Sequence, residues 1–310
     1  MNKKVPSIDF HSHYMPPAIA ENTMFFKMGW SDLDRQLGLM DQLGIEQSVL
    51  LYPTSDAHLN MGGWTSLCRI YNAAIADVIK KYPSRFIGGG ILPPDNSKNL
   101  MDEIKHIQDS GLKVISLASS YDGKYLDDEI FFPVYSYAQE KGVPIHVHSQ
   151  IMNPIGCERL QDPLLTPVLE YVFDVSACIG KLMMSGVLQK FDKVKFVFAH
   201  YGGVLPIVKE RFDTTYQMLR RRDFVRDIKK NPSDYFKNLY FDMSGSKSKA
   251  SLLCALELTD FSHILFGSDF PANQNVAQTI DGLKQLDWNF DEDVFILSKN
   301  AHQLIEGIRK

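Results

Sequence analysis

Eight short apolar or β-branched runs recur along the chain, each followed by a longer stretch with the periodicity of a helix. The runs are SIDFH (7–11), QSVLLY (47–52), RFIGGGIL (85–92), KVISLAS (113–119), VPIHVH (143–148), KFVFAH (195–200), NLYFDMS (238–244) and HILFGSD (263–269). Between them, WSDLDRQLGLMDQLG (30–44) and TSLCRIYNAAIADVIKKY (65–82) have the spacing of amphipathic helices, and Gly44, Pro83, Gly111 and Gly142 punctuate the pattern. Strands that alternate with helices pair in parallel, and eight such units of about 30 to 40 residues fill nearly the whole chain. That arithmetic predicts an α/β fold of the (β/α)8 TIM-barrel type. A doubly wound open sheet is the competing arrangement. It more often brings a glycine-rich phosphate loop, and the chain has neither GxGxxG behind its first run nor GxxxxGK(S/T) anywhere.

Two stretches exceed what a plain barrel needs. Residues 149–165 follow the fifth predicted strand, on the side where loops cover an active site, and residues 220–237 follow the sixth helix on the opposite side. With 310 residues and 45% hydrophobic positions, the chain has material for one large core or two modest ones. The alternation runs from end to end without a linker, so residues 1–310 read as one barrel domain. A formal charge of −4, without a basic stripe or acidic tail, gives no footing for nucleic acid or an anionic membrane surface. A small molecule is the expected partner. Cys68, Cys157, Cys178 and Cys254 lie far apart with no CxxC pair, so neither a zinc knuckle nor a disulfide framework is expected. MNKKVPSIDF has no apolar segment behind its lysines, and no window approaches about eighteen uninterrupted apolar residues, which predicts a cytoplasmic protein.

Ionisable residues gather at the ends of these runs. His11 and His13 stand two apart on the first strand and project to one face. VPIHVH ends with His146 and His148, KFVFAH with His200, and HILFGSD with Asp269. Of nine histidines, five thus sit at or near the C-terminal ends of strands 1, 5 and 6, and a carboxylate closes strand 8. An isolated HxH is as readily a pair of polar residues satisfied by backbone and water. Its company points to a divalent metal, for which each neutral imidazole offers a nitrogen donor at about 2.0–2.1 Å. Three histidines and one aspartate, with a position left to water, describe a mononuclear catalytic site rather than a closed structural one. Such donors suit zinc, manganese, iron or nickel. His58, His106, His263 and His302 fall in loops, helices or the start of a strand and read as structural.

IDFHSH, VPIHVH, FVFAHYGG and LFGSDFP, in that order and all at strand ends, resemble the amidohydrolase superfamily. The nearer likeness is to its amidohydrolase-related branch typified by 2-amino-3-carboxymuconate-6-semialdehyde decarboxylase. It runs from Ile8 to about Leu304, through YPSRFIGGGILP (82–93), FFPVYSYAQEKGVPIHVH (131–148), SGVLQKFDKVKFVFAHYGG (185–203) and SKNAHQLI (298–305). Residue by residue, the resemblance implies metal ligands His11, His13, His148 and Asp269, with His148 preferred to His146 as the histidine nearer the barrel mouth. His146 then stands one layer deeper, as a partner to the ligands. The resemblance makes His200 the acid–base residue beside a metal-bound water and lets Asp269 also shuttle a proton. It further implies that Arg211 reaches a substrate carboxylate across a dimer interface.

For function, the resemblance implies one divalent metal ion, zinc first among the options, no organic cofactor, and at least a homodimer. The implied reaction is non-oxidative decarboxylation of a small unsaturated or aromatic carboxylic acid. A hydrolase or hydratase on the same metal, cleaving an amide or lactone or adding water to a dicarboxylic enol acid, is the second chemistry. A barrel whose metal serves stability alone is the third. Against the named decarboxylase, the segment Tyr14 to Gly29 is short and holds Lys27 but no arginine, and Ser149-Gln150 stands where that enzyme has a proline and an aromatic residue. KVISLAS ends without the lysine that bridges two metals in binuclear amidohydrolases, which favours one ion. Phe25, Phe26, Trp30, Tyr52, Trp64 and Met152 are candidates for the pocket wall, and Asp174 for a contact or a cap beside it.

Overall fold

The computed structural model describes residues 8–21, 23, 25, 29–95, 98–222, 228–284 and 295–309. Eight parallel strands form one sheet: β1 (Ile8–His13), β2 (Gln47–Leu51), β3 (Phe86–Gly90), β4 (Val114–Ala118), β5 (Ile145–His148), β6 (Phe196–Phe198), β7 (Tyr240–Asp242) and β8 (Ile264–Leu265). Each pairs with the next in sequence. The two edges meet as well. Phe10 N–H donates to Phe266 O (2.9 Å), Asp269 N–H to His11 O (2.8 Å) and His13 N–H to Phe270 O (2.7 Å), which closes the sheet between β8 and β1. Closure removes the exposed edges that an open sheet would leave.

Helices follow the strands in turn: α1 (Leu33–Leu43), α2 (Trp64–Lys81), α3 (Lys98–Asp109), α4 (Phe132–Lys141), α5 (Tyr171–Met184), α6 (Leu205–Arg220), α7 (Lys249–Ala255) and α8 (Val276–Lys284). This is the (β/α)8 barrel that the alternation predicts. Local chemistry sets the helix limits. Asp32 caps α1 by accepting from Arg35 N–H at 2.9 Å, and Gly44, in the left-handed region at φ 75°, ends it. Leu67, Tyr71, Ile75 and Val78 recur along one face of α2 and are buried there. A last helix, α9 (Asn300–Glu306), brings Ala301, Leu304 and Ile305 into an apolar cluster with Ile8 and Phe10 of β1. Because side chains alternate along a strand, that packing leaves Asp9 and His11 on the opposite face. No described helix is long and apolar enough to cross a membrane.

The strands stop sooner than their apolar runs do. β6 ends at Phe198 and β8 at Leu265, so His200 and Asp269 lie on turns beyond the ladder. His200, Tyr201 and Asp269 all have φ between 55° and 58°, a left-handed backbone that interrupts a strand and that non-glycine residues adopt only when other contacts impose it. Of the two long stretches, the one after β5 lies over the barrel mouth and contains a short helix, Cys157–Leu160. In the one after α6, residues 223–227 lie outside the described residues, and Pro232–Phe236 forms a short helix packed on α6.

Gly267 is where closure and site depend on the absence of a side chain. A Cβ there would stand 2.7 Å from His11 Cβ and 3.2 Å from Asp242 Cβ and Cγ. Gly267→Ala is therefore expected to cost on the order of 1–3 kcal/mol of stability by overpacking and to displace His11. Urea unfolding together with metal content checks this, and an unchanged midpoint with unchanged metal content would refute it.

Candidate metal centre

β1 delivers His11 and His13 to the C-terminal mouth of the barrel, and the β8–β1 closure carries Asp269 to the same place. His11 Nε2 and His13 Nε2 are 3.0 Å apart. Asp269 Oδ1 lies 3.1 Å from His13 Nε2 and 3.5 Å from His11 Nε2. His148, the last residue of β5, stands with its ring centre 5.2 Å from each of those two imidazoles. One donor atom from each of the four falls within 4.8 Å of all the others. The three histidines are buried and Asp269 keeps 17% of its side chain exposed. His200 completes the group, its ring centre 5.1 Å from that of His148.

The donor set fits a divalent ion. His11 Nδ1–H donates to Asp242 Oδ2 at 2.9 Å, and His148 Nδ1–H donates to Ser149 O at 3.0 Å, so Nε2 is the nitrogen that each has left to offer a metal. The 3.0 Å between His11 Nε2 and His13 Nε2 is a distance that a shared proton bridges, in the position a metal ion would occupy. Burial holds His13 below the usual imidazole range, and it pushes His148 well below that range with the help of the His200, His13 and His11 rings. Both are thus neutral donors. Burial would raise Asp269, but the hydrogen bond with His13 and the charge on His11 outweigh it and keep the carboxylate ionised. His11 reports the local field. Burial disfavours its charge, yet the Asp242 carboxylate, with Asp269 and Asp9 behind it, lifts its pKa to about 9. Two neutral imidazoles and an ionised carboxylate, beside a third imidazole in a field that favours positive charge, suit a divalent cation, which would take the place of the proton on His11.

Asp242, the last residue of β7, is the functional residue that sequence reasoning passes over. Its Oδ2 also accepts from His146 Nε2 at 2.8 Å, and its Oδ1 accepts from Ser244 N–H at 3.1 Å and His200 N–H at 3.2 Å. The paired imidazoles hold its pKa well below the carboxylate range against the pull of burial. His11, His146 and Asp242 also lie close enough together to suggest a second ion. Their 2.8–2.9 Å contacts are hydrogen-bond lengths, and both imidazoles converge on the single oxygen Asp242 Oδ2. His146 stays one layer below the centre. His200 Nδ1 is engaged by Ser244 Oγ at 2.8 Å, which leaves Nε2 as the nitrogen able to exchange a proton.

A cavity of about 1130 Å³ opens over the donors. Phe25, Trp30, Met152, Tyr171, His200 and Tyr201 help to line it, and Trp30 stacks on His13 with ring centres 5.4 Å apart. Tyr52 instead bonds Ser55 in the core, Trp64 borders a neighbouring groove, and Phe26 lies outside the described residues. Asp174 anchors the loop after β5: it accepts from Gln150 N–H (2.9 Å), Ile155 N–H (3.2 Å), Tyr125 OH (3.2 Å) and Ser119 Oγ. Arg211 is exposed on α6 and is not among the residues lining its own chain's cavity.

Eight strands with convergent histidine and aspartate donors at the barrel mouth define a (β/α)8 protein built for metal chemistry. The Amidohydrolase family model matches residues 8–305, and the chain belongs to that family. It is similar to 2-amino-3-carboxymuconate-6-semialdehyde decarboxylase of Dictyostelium discoideum, at 24% identity over 96% of this chain and 91% of the relative. Its fold matches 5-carboxyvanillate decarboxylase from Sphingomonas paucimobilis with a TM-score of 0.86, at 20% identity over 97% of this chain and 99% of that one. A dihydroxybenzoic acid decarboxylase from Polaromonas, solved with manganese and the inhibitor 2-nitroresorcinol, superposes with a TM-score of 0.83 at 22% identity, covering 97% of both chains.

If Asp242 sets the tautomer of His11, Asp242→Asn sets an amide NH2 either against both imidazoles, in the place of Oδ2, or against the N–H groups of Ser244 and His200, in the place of Oδ1. Metal affinity should fall about 10–100-fold with the fold retained. Competition against a chromophoric chelator reads this directly, and wild-type affinity in the variant would contradict the role.

Proposed function

We propose that the chain is a metal-dependent carboxy-lyase that removes CO2, without oxidation, from an aromatic or small unsaturated carboxylic acid. The observation that carries this reading is the convergence of His11, His13, His148 and Asp269 beside His200 at the floor of one cavity. The names of the relatives support it: muconate semialdehyde, carboxyvanillate and dihydroxybenzoate decarboxylases are all carboxy-lyases. A divalent ion held by those four residues would bind the acid's oxygens and draw electron density as the carbon–carbon bond breaks. Zinc is the sequence-based expectation and manganese is the ion of the solved neighbour, so metal analysis of the purified protein chooses between them.

The chain's own residues supply positioning and the proton. Loss of CO2 leaves an electron pair on carbon, and that carbon must gain one proton. His200, tethered at Nδ1 by Ser244, takes a proton from water or substrate at Nε2, and Asp269, which lines the same cavity, delivers one to the carbon. Trp30 and Tyr171 flank the floor and restrict the ring plane of the substrate. Arg211 acts from a neighbouring copy in a homodimer or larger oligomer: α6 carries Ile207 on the cavity wall and Arg211 one turn further on, exposed. A reducing cytoplasmic setting accords with four cysteines that form no disulfide.

Removal of the metal with a chelator should abolish CO2 release from a substrate found in a carboxylic-acid panel, and readdition should restore it. His200→Ala and Asp269→Asn should each lower kcat by about 10² or more. Full turnover in both variants would refute the assignment, and incorporation of labelled water with the carbon count unchanged would select hydrolase or hydratase chemistry instead.

A further inference from the structure

Asp9 is a buried carboxylate that the chemistry described above does not use. It stands on β1 two residues before His11, so the two side chains project to one face. Its Oδ1 accepts from Ser268 N–H at 2.9 Å and from His11 N–H at 3.2 Å. Its Oδ2 accepts from Ser268 Oγ at 2.6 Å and from Ser48 Oγ at 3.4 Å. Both donors of Ser268 thus converge on one anion, and Ser268 is the residue before Asp269. The same hydroxyl oxygen accepts from Phe270 N–H at 3.0 Å, so the group that Asp9 holds spans the turn from one side of Asp269 to the other. Asn273 secures the turn from beyond, its amide donating to Ser268 O at 3.1 Å and its N–H to Asp269 O at 2.8 Å. Between these fastenings Asp269 has φ 58°, a conformation that persists because its surroundings impose it. Sheet closure alone does not call for Asp9, because the backbone bonds from β1 to Phe266, Asp269 and Phe270 already provide it. A buried carboxylate is also costlier there than apolar packing.

Resting on the decarboxylase reading above, we propose that Asp9 is a positioning residue for the carboxylate that delivers the proton. Acting through Ser268, it holds the left-handed turn at Asp269 and so aims that side chain into the cavity. The demand is strict because proton delivery depends on the placement of Asp269 against the reacting carbon.

Asp9→Asn and Ser268→Ala test this in the manganese-loaded protein, with metal occupancy verified for each. In Asp9→Asn the amide that replaces Oδ2 donates to Ser268 Oγ, and that hydroxyl loses its acceptor and turns away. Each variant should lower kcat for CO2 release, from the acid that the carboxylic-acid panel identifies, by about tenfold or more. KM should stay within about twofold of wild type. The double variant should lose no more than the worse single one, because both substitutions break one link. The electron paramagnetic resonance spectrum of the bound manganese should change alike in both variants, whereas a role confined to barrel stability would lower the unfolding midpoint and leave spectrum and kcat as they are. Wild-type kcat in either variant, losses that multiply in the double variant, or an unchanged spectrum overturns the proposal. Should Asp9→Asn fail to fold, Ser268→Ala decides by the same kcat and spectrum. Absence of CO2 release by the wild type from every acid of the panel overturns the decarboxylase reading, and the spectrum then decides alone whether Asp9 places Asp269.

Discussion

The carboxylate of Asp242 is the constraint on which the rest of the site depends. A fully buried carboxylate is costly unless its oxygens are satisfied, and here they accept from His11, His146, the backbone N–H of His200 and both the N–H and the hydroxyl of Ser244. Those contacts reach β1, β5, β7 and the turn after β6. One anion therefore sets the relative height of four strand ends, fixes the proton of His11 on Nδ1 and aims Nε2 at the mouth. The left-handed turn at His200 is held by the same carboxylate, which is how a strained backbone persists beside the centre.

From that anchor the geometry passes to the reactive groups through short links. Closure of the sheet gives Asp269 its position, since its N–H donates to His11 O. Ser244, held by Asp242, in turn tethers His200. The loop after β5 has a separate fastening on Asp174, so the floor of the cavity and its outer wall are held by two different buried carboxylates. Such a division lets the wall vary in shape while the metal-binding floor stays constant, which is how one barrel serves many substrates.

The fold was legible because each βα unit buries its own apolar face and so repeats a pattern, and the eight runs from SIDFH to HILFGSD mark the eight strands. That His11, His13, His148 and Asp269 come together was legible because they lie at or just beyond the ends of such runs. Strand limits at His200 and Asp269 were not, since a left-handed turn imposed by tertiary hydrogen bonds has no signature in apolar spacing. Asp242, like Asp269, is a carboxylate near the end of a run, but no histidine stands with it in NLYFDMS to draw notice. Its importance arises from partners more than ninety residues away in sequence. Arg211 could be singled out only by family resemblance, because an exposed helical arginine looks the same whether or not a neighbouring copy uses it.

The most direct test of the metal centre is an anomalous diffraction map from crystals of the manganese-loaded protein. One strong peak per chain is expected, bonded by Nε2 of His11, His13 and His148 and by a carboxylate oxygen of Asp269 at distances of about 2.0–2.3 Å. A peak between His11, His146 and Asp242, or no peak at the four donors, would contradict that assignment.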